Sequence, residues 1–265
     1  MASASEDYTV NVWNTLTWKS IQRYTNHTSW VRSLDQIDND KMVSGSADNT
    51  IQIWKISTAE TLKIINVNMG VYAVRIFSIE YTQIVCGLLG SSNNLQIYNY
   101  STGNLILSLN GHSSSVVSIE MLSDQYMASG GADQKVIIWD LSSYSIKYTL
   151  TGHNYGVSCI KRLSFNLLAS GDGSGLIIIW NWLTGEQMFN LTGHTNRLEL
   201  NSLDLYDEQT LISGSWDRTV KFWNFTNGTL IQSINVDINI NTLAMLKSSE
   251  CRNLKKKFFG KLNLS

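Results

Sequence analysis

Apolar residues along this chain come in short runs, such as SVVSIEML, KVIIW and IKYTL, separated by clusters of Gly, Ser, Asn and Asp. Runs this short, rich in Val, Ile, Trp and Tyr and bounded by turn residues, predict β-strands. The run LIIIW at 176–180 is apolar at every position. Its shortness and β-branching predict a strand buried on both faces, as in a sheet sandwiched between neighbouring sheets. No stretch of 10–15 residues has helical amphipathic spacing, so a helical solenoid is excluded.

The pattern recurs. SGSADNTIQIW ends at Trp54, SGGADQKVIIW at Trp139, SGDGSGLIIIW at Trp180 and SGSWDRTVKFW at Trp223, while GSSNNLQIY ends at Tyr98 in the same role. From Trp54 onward the spacings are 44, 41, 41 and 43 residues, and one step of 41 backward reaches Trp13. The opening ASASEDYTVNVW therefore reads as another copy. Each period predicts four short strands, the second and third joined by a tight Asp-containing turn. Four strands per period of about forty residues predict a β-propeller with one four-stranded sheet per blade.

The residues at fixed places in the period resemble WD40 repeats. Gly111-His112, Gly152-His153 and Gly193-His194 precede a first strand, with Asn26-His27 as a variant; Ser-Gly follows in the second strand, then the turn aspartate and the closing Trp. The aspartate usual after that Trp is present only in Trp139-Asp140. The resemblance covers roughly residues 1–246 and implies a hydrogen-bonded His–Ser–Asp–Trp network in each blade. The implied sets are His27, Ser44, Asp48 and Trp54; His112, Ser129, Asp133 and Trp139; and His194, Ser213, Asp217 and Trp223. A closed network supplies partners for a buried indole, hydroxyl and imidazole together. In the blade of His153, Ser170 and Trp180 the turn position holds Ser174, so an incomplete network is expected there. The blade of Tyr98 has Val67 at the His position and is also expected to be weaker.

The first copy lacks a first strand, and INVDININTLAML at 234–246 matches INVNMGVYAVRI at 65–76 with no second strand to follow. The expected fold is all-β: a propeller of six four-stranded blades over residues 1–246, one of them composite and closed by the two termini. Closure would remove an unpaired sheet edge at each end. The alternative is a piece of a seven-bladed or larger propeller. Residues 247–265 break the repeat and hold six Lys/Arg and one Glu, which leaves 14 basic against 20 acidic residues, −6, in the rest. This basic tail is expected to be disordered, and any contact with nucleic acid is assigned to it.

Composition narrows function further. With 43% hydrophobic and 15% charged residues and a net charge of −1, the chain is globular and is not a polyanion binder by charge. No apolar run approaches the roughly 18 residues of a membrane helix, and no signal peptide is visible. Cys86, Cys159 and Cys251 show neither metal spacing nor a disulfide framework, which suits a reducing compartment, cytoplasmic or nuclear. All four histidines, 27, 112, 153 and 194, occupy one repeat position, so none is left over as a general base or metal ligand. There is no phosphate loop and no nucleophile elbow. The expectation is a non-catalytic scaffold without cofactor or metal, binding a protein or peptide.

The resemblance implies where. On the Gly-His-loop face the exposed positions flank the first-strand valine and precede the turn aspartate. The first set is Trp30 and Arg32, Gly70 and Tyr72, Ser115 and Val117, Gly156 and Ser158, Asn239 and Asn241, with Arg197 and Glu199 near the same place. The second is Glu6, Ala47, Ser91, Ala132, Gly173 and Trp216. Residue types enriched at binding hot spots concentrate in Trp30, Arg32, Tyr72 and Trp216. With Glu6 they form the candidate protein-binding site, and the blades of Trp139 and Trp180 offer only small residues. Two other readings remain: the sensor or repeat portion of a larger signalling protein, and the substrate receptor of a cullin-type ubiquitin ligase. Such receptors often carry W-D-x-R at the end of the third strand, and Trp139-Asp140-Leu141-Ser142 lacks its arginine.

Overall fold

β-Branched and aromatic runs separated by Gly, Ser and Asp turns form strands throughout the computed structural model, which describes residues 1–78, 82–92, 94–195 and 200–242. Among them are 23 strands and no helix. The first sheet has three strands, β1 (Ala2–Ala4), β2 (Val10–Trp13) and β3 (Ser20–Tyr24). The others have four. The second contains β4 (Val31–Gln36), β5 (Lys41–Ser46), β6 (Thr50–Lys55) and β7 (Thr61–Asn66). The third contains β8 (Val71–Ser78), β9 (Gln83–Leu88), β10 (Leu95–Asn99) and β11 (Leu105–Leu109). In the fourth are β12 (Val116–Met121), β13 (Tyr126–Gly131), β14 (Val136–Asp140) and β15 (Ser145–Leu150). The fifth comprises β16 (Val157–Arg162), β17 (Leu167–Asp172), β18 (Ile177–Asn181) and β19 (Glu186–Leu191). The sixth comprises β20 (Leu200–Leu205), β21 (Thr210–Ser215), β22 (Thr219–Asn224) and β23 (Thr229–Asn235). Strand order within each sheet is chain order, and every pairing is antiparallel. First strands of successive sheets pack on one another, β4 on β8, β8 on β12, β12 on β16 and β16 on β20. This is a propeller arrangement.

Burial follows from the stacking of sheets. Third strands are buried on both faces, as LIIIW predicts: Ile177, Ile178 and Ile179 are all 0% exposed. Second strands pass close to the next sheet, and this explains their glycines. A Cβ on Gly45 would lie 2.5 Å from Val71 Cγ1, and one on Gly130 would lie 2.7 Å from Val157 Cγ1. Only hydrogen fits in that space.

Two devices recur at fixed places. A bulge precedes each closing aromatic where the third strand meets the fourth, between Ile53 and Trp54 or Ile138 and Trp139 for example. First strands also reach back to the preceding sheet: Val74 N–H donates to Ser33 Oγ (3.1 Å) and Ile76 N–H to Asp35 Oδ2 (2.8 Å). Ile160 N–H donates likewise to Ser118 Oγ (3.0 Å) and Arg162 N–H to Glu120 Oε1 (3.2 Å).

At the ends, Ile240 is 8% exposed and its N–H donates to Ser215 O (3.3 Å), as Val31 N–H donates to Ser5 O (3.1 Å). Ile240 thus stands where other sheets begin their first strand. Residues 236–242 contain no strand, and 243–246, the rest of the segment expected to complete the first sheet, lie outside the described residues, as do Arg197, Glu199 and the tail 247–265.

Candidate protein-interaction face

The His–Ser–Asp–Trp positions lie just beneath the Gly-His loops. His112 Nε2 is 2.8 Å from Ser129 Oγ, which accepts the indole N–H of Trp139 at 2.7 Å, and His112 Nδ1 is 2.8 Å from Asp133 Oδ1. His194, Ser213, Asp217 and Trp223 repeat this at 2.7–2.8 Å. An ionised carboxylate can only accept, which assigns the imidazole proton to Nδ1, facing Asp, and leaves Nε2 to accept from the serine hydroxyl. Burial holds His27, His112 and His194 below the ordinary imidazole value despite the carboxylate beside each. Burial also opposes ionisation of Asp48, Asp172 and Asp217, yet the hydrogen bonds aimed at them hold all three below the usual carboxylate range. The pairs with resolved shifts are neutral imidazole against carboxylate.

Two of the expected networks need correction. The set of His153, Ser170 and Trp180 is complete. Asp172, at the end of β17, does what Ser174 does not: Oδ2 lies 3.0 Å from His153 Nδ1, and Ser174 itself donates to Oδ1 at 2.6 Å. The carboxylate sits two residues earlier than in the other turns and reaches the same imidazole. The set of His27, Ser44, Asp48 and Trp54 lacks its indole. His27 bonds Asp48 and Ser44, both at 2.7 Å, but Trp54 Nε1 is buried with no hydrogen-bond partner among the described residues. Trp54 instead stacks on Tyr24, with centroids 4.8 Å apart at 12°, and the Tyr24 hydroxyl donates to Gln52 Oε1 at 2.6 Å. Stacking and an isolated donor replace the hydrogen bond. Trp139→Phe and Trp180→Phe are therefore expected to destabilise equally, by roughly 1–3 kcal/mol for the stranded partners, and Trp54→Phe by less. Urea titrations of the three variants check this.

Ser, His and Asp connected in this order have the connectivity of a nucleophile–base–orienter relay. Here Ser44, Ser129, Ser170 and Ser213 are all 0% exposed, so no substrate reaches them. Among the described residues no cluster of three or more His, Cys, Asp or Glu is placed to hold a metal. No helix there is long and apolar enough to cross a membrane.

The surface above the network carries the candidate site. Arg32 holds its guanidinium 4.4 Å from the Trp30 ring centroid and 5.2 Å from that of Tyr72, so three of the five residues meet. Trp30 remains 41% exposed. Arg32 has no ion-pair partner among the described residues. Glu6 is exposed beside Ser5, whose carbonyl accepts from Val31. Trp216 is 37% exposed and donates its indole N–H to Asn241 Oδ1 at 2.7 Å. Two exposed residues on this face escape the repeat alignment. Leu89, not Ser91, holds the pre-turn position of the third sheet, because Leu89 N–H donates to Gly70 O as Ala47 N–H donates to Trp30 O. Tyr155, one residue outside the flanking positions, is 41% exposed and gives the small-residue arc an aromatic.

Comparison with known proteins gives the same repeat. The family profile described as WD domain, G-beta repeat matches residues 18–55, 103–140, 144–181 and 185–224, more than half the chain. The chain is 27% identical over 140 residues to DENN domain and WD repeat-containing protein SCD1 of Arabidopsis thaliana, covering 51% of this chain and 11% of that protein. It is 27% identical over 150 residues to E3 ubiquitin-protein ligase COP1 of the same plant, covering 51% and 21%. It is 32% identical over 116 residues to WD repeat-containing protein 3 of Homo sapiens, covering 43% and 12%. The matched part is thus a minor fraction of each relative. Among solved structures, the crystal structure of the computationally designed Ika8 protein superposes with a TM-score of 0.75 at 25% identity, over 93% of this chain and 74% of that one.

Proposed function

Because the chain belongs to the WD40-repeat family, we propose that it is a non-catalytic scaffold holding a protein or peptide on its Gly-His-loop face, over Trp30, Arg32 and Tyr72. One observation carries the reading: a guanidinium held against two aromatic rings, with no carboxylate partner among the described residues. The ring contacts hold the guanidinium in place, and its N–H donors can bond a partner's carboxylate bidentately. Trp and Tyr add rigid contact area at little entropic cost. Glu6, Leu89 and Trp216 form the margin of the site.

Capture of a partner by affinity purification and mass spectrometry supplies the ligand for the test. Trp30→Ala is expected to weaken its binding by about 2 kcal/mol or more, the hot-spot range, with the melting temperature unchanged. Arg32→Lys keeps the charge and loses the planar fork, and is expected to weaken binding as well. Ser115→Ala should have no effect. Sensitivity at Ser115 and Tyr155 with indifference at Trp30 would move the site to the opposite arc.

A second reading, the substrate receptor of a ubiquitin ligase, is favoured by the similarity to COP1 and disfavoured by the serine at 142 of Trp139-Asp140-Leu141-Ser142. Under either reading the matched relatives are far longer than their common part, which supports a place within a larger assembly or chain. A reducing compartment, cytoplasmic or nuclear, fits Cys86 and Cys159. Both thiols are unpaired and buried, and burial pushes each up to about 12.

A further inference from the structure

The bulge before each closing aromatic leaves one outer-strand residue out of the ladder. These residues are Ile21, Leu62, Ile106, Lys147, Met188 and Ile231. Five are apolar and exposed, whereas Lys147 is charged and half-buried. A bulge re-aims the side chain it carries, and Lys147 turns onto three aromatic rings. Its Nζ lies 4.1 Å from the ring centroid of Tyr126 and 5.7 Å from those of both Tyr148 and Trp182. The Tyr126 and Trp182 centroids are 5.6 Å apart, with the rings inclined at 50°. The Tyr148 hydroxyl pins its ring by donating to Leu183 O at 3.1 Å. Trp182 is 2% exposed, and its indole N–H has no hydrogen-bond partner among the described residues.

The repeat does not require this cluster. Positions matching Tyr126 hold Lys41, Gln83, Leu167 and Thr210, and those matching Trp182 include Ile56, Leu141 and Phe225. Residues from two neighbouring sheets depart from the repeat together, at the strand ends opposite the Gly-His loops. The cluster is therefore distinct from the face described above.

We propose that Tyr126, Tyr148 and Trp182 form a cage for the trimethylammonium group of a methylated lysine on a partner protein, with Lys147 as the resident occupant that this ligand displaces. The faces of aromatic rings attract a cation, but they leave ammonium N–H donors without acceptors. Asp140 feels the charge of Lys147 without forming an ion pair with it, and on swinging out the ammonium is rehydrated, so leaving costs little. Trimethylammonium carries the same charge with no N–H to strand, and it has methyl surface to bury. The structure already has a lysine stem entering the cage, which favours the same side chain from a protein over the choline headgroup of a lipid.

The test uses the isotopically labelled full chain and two peptides, one carrying a single trimethyl-lysine and the other the same peptide unmethylated. The readout is the Trp182 indole N–H resonance, assigned by its absence in Trp182→Phe. Only the trimethylated peptide is expected to move it. Lys147→Ala should bind that peptide about fivefold more tightly, the worth of a partly exposed cation–π contact. Adding Tyr126→Leu should abolish the shift while the melting curve stays cooperative, since Leu167 shows that the fold accepts leucine at this position. Equal responses to the two peptides, no tightening in Lys147→Ala, or a shift that survives Tyr126→Leu would overturn the proposal. So would a shift produced by phosphatidylcholine vesicles and not by the peptide.

Discussion

Asp172→Ala is expected to cost roughly 3 kcal/mol or more, because hydrogen bonds to a charged group are each worth about 1.5–3 kcal/mol and a buried donor left unpaired costs about 1–3 kcal/mol. The carboxylate belongs to a residue that is 0% exposed. It accepts from Ser174 Oγ (2.6 Å), Ser174 N–H (2.8 Å), His153 Nδ1 (3.0 Å) and Leu176 N–H (3.2 Å). Removing it strands a buried imidazole donor together with half-buried side-chain and backbone donors of one turn. Asp7 stands at the matching turn of the first sheet, but its side chain is 55% exposed, so Asp7→Ala should change stability little. Urea unfolding with a constant slope distinguishes the two. The pH dependence gives a second check. Asp172 is held below its ordinary 3.8 in the fold, so its contribution is fully present above that value and is lost as pH falls through the folded pKa. Wild type and Asp172→Ala should therefore differ throughout the neutral range and converge only in acid. Equal midpoints for Asp172→Ala and Asp7→Ala would show that the network does not support the fifth sheet.

The case of Asp172 shows how far sequence spacing reaches. Period and turn chemistry specify the strands, because a 41-residue spacing of tryptophans leaves few other ways to bury them, and the strand pattern places LIIIW in a doubly covered strand. Side-chain reach is a different matter. Aligning columns assigns Ser174 to the network, since it counts residues and not the two or three bonds by which a carboxylate can swing. Trp54 fails for the converse reason. Its column is right, but Tyr24, from another sheet, stacks on the indole and Gln52 occupies the tyrosine hydroxyl, and no local pattern encodes that pair. Leu89 is hidden by extra residues in the turn after β9, which shift the count by two relative to the backbone hydrogen bond. Trp30, Arg32 and Tyr72 are legible as neighbours, but the approach of the guanidinium to both rings is not. The Lys147 cluster draws on Tyr126, Tyr148 and Trp182 from two sheets, and only the packing of those sheets brings them together.

Ending the chain after Asn235 is expected to have the broadest effect on folding. Two first strands, β8 and β16, reach back to the sheet before them by matching bonds. Ser33 and Asp35 accept from Val74 and Ile76, and Ser118 and Glu120 accept from Ile160 and Arg162. The matching residues of the sixth sheet are Ser202 and Asp204, both nearly buried, and Asp204 also pairs with Lys161 at 2.9 Å. Ile240 already sits at the first-strand start, with its N–H on Ser215 O. We therefore propose that 236–246 runs alongside β20 and pairs with β1, completing the first sheet. Without that segment β1 keeps an open edge and the inner face of β20 loses its cover. A stop after Asn235 should melt at lower temperature, over a broader range, and aggregate with increasing concentration. A stop after Leu246 removes only the basic tail and should melt like the full chain. Identical melting curves for the full chain and the stop after Asn235 would exclude the closed six-sheet ring.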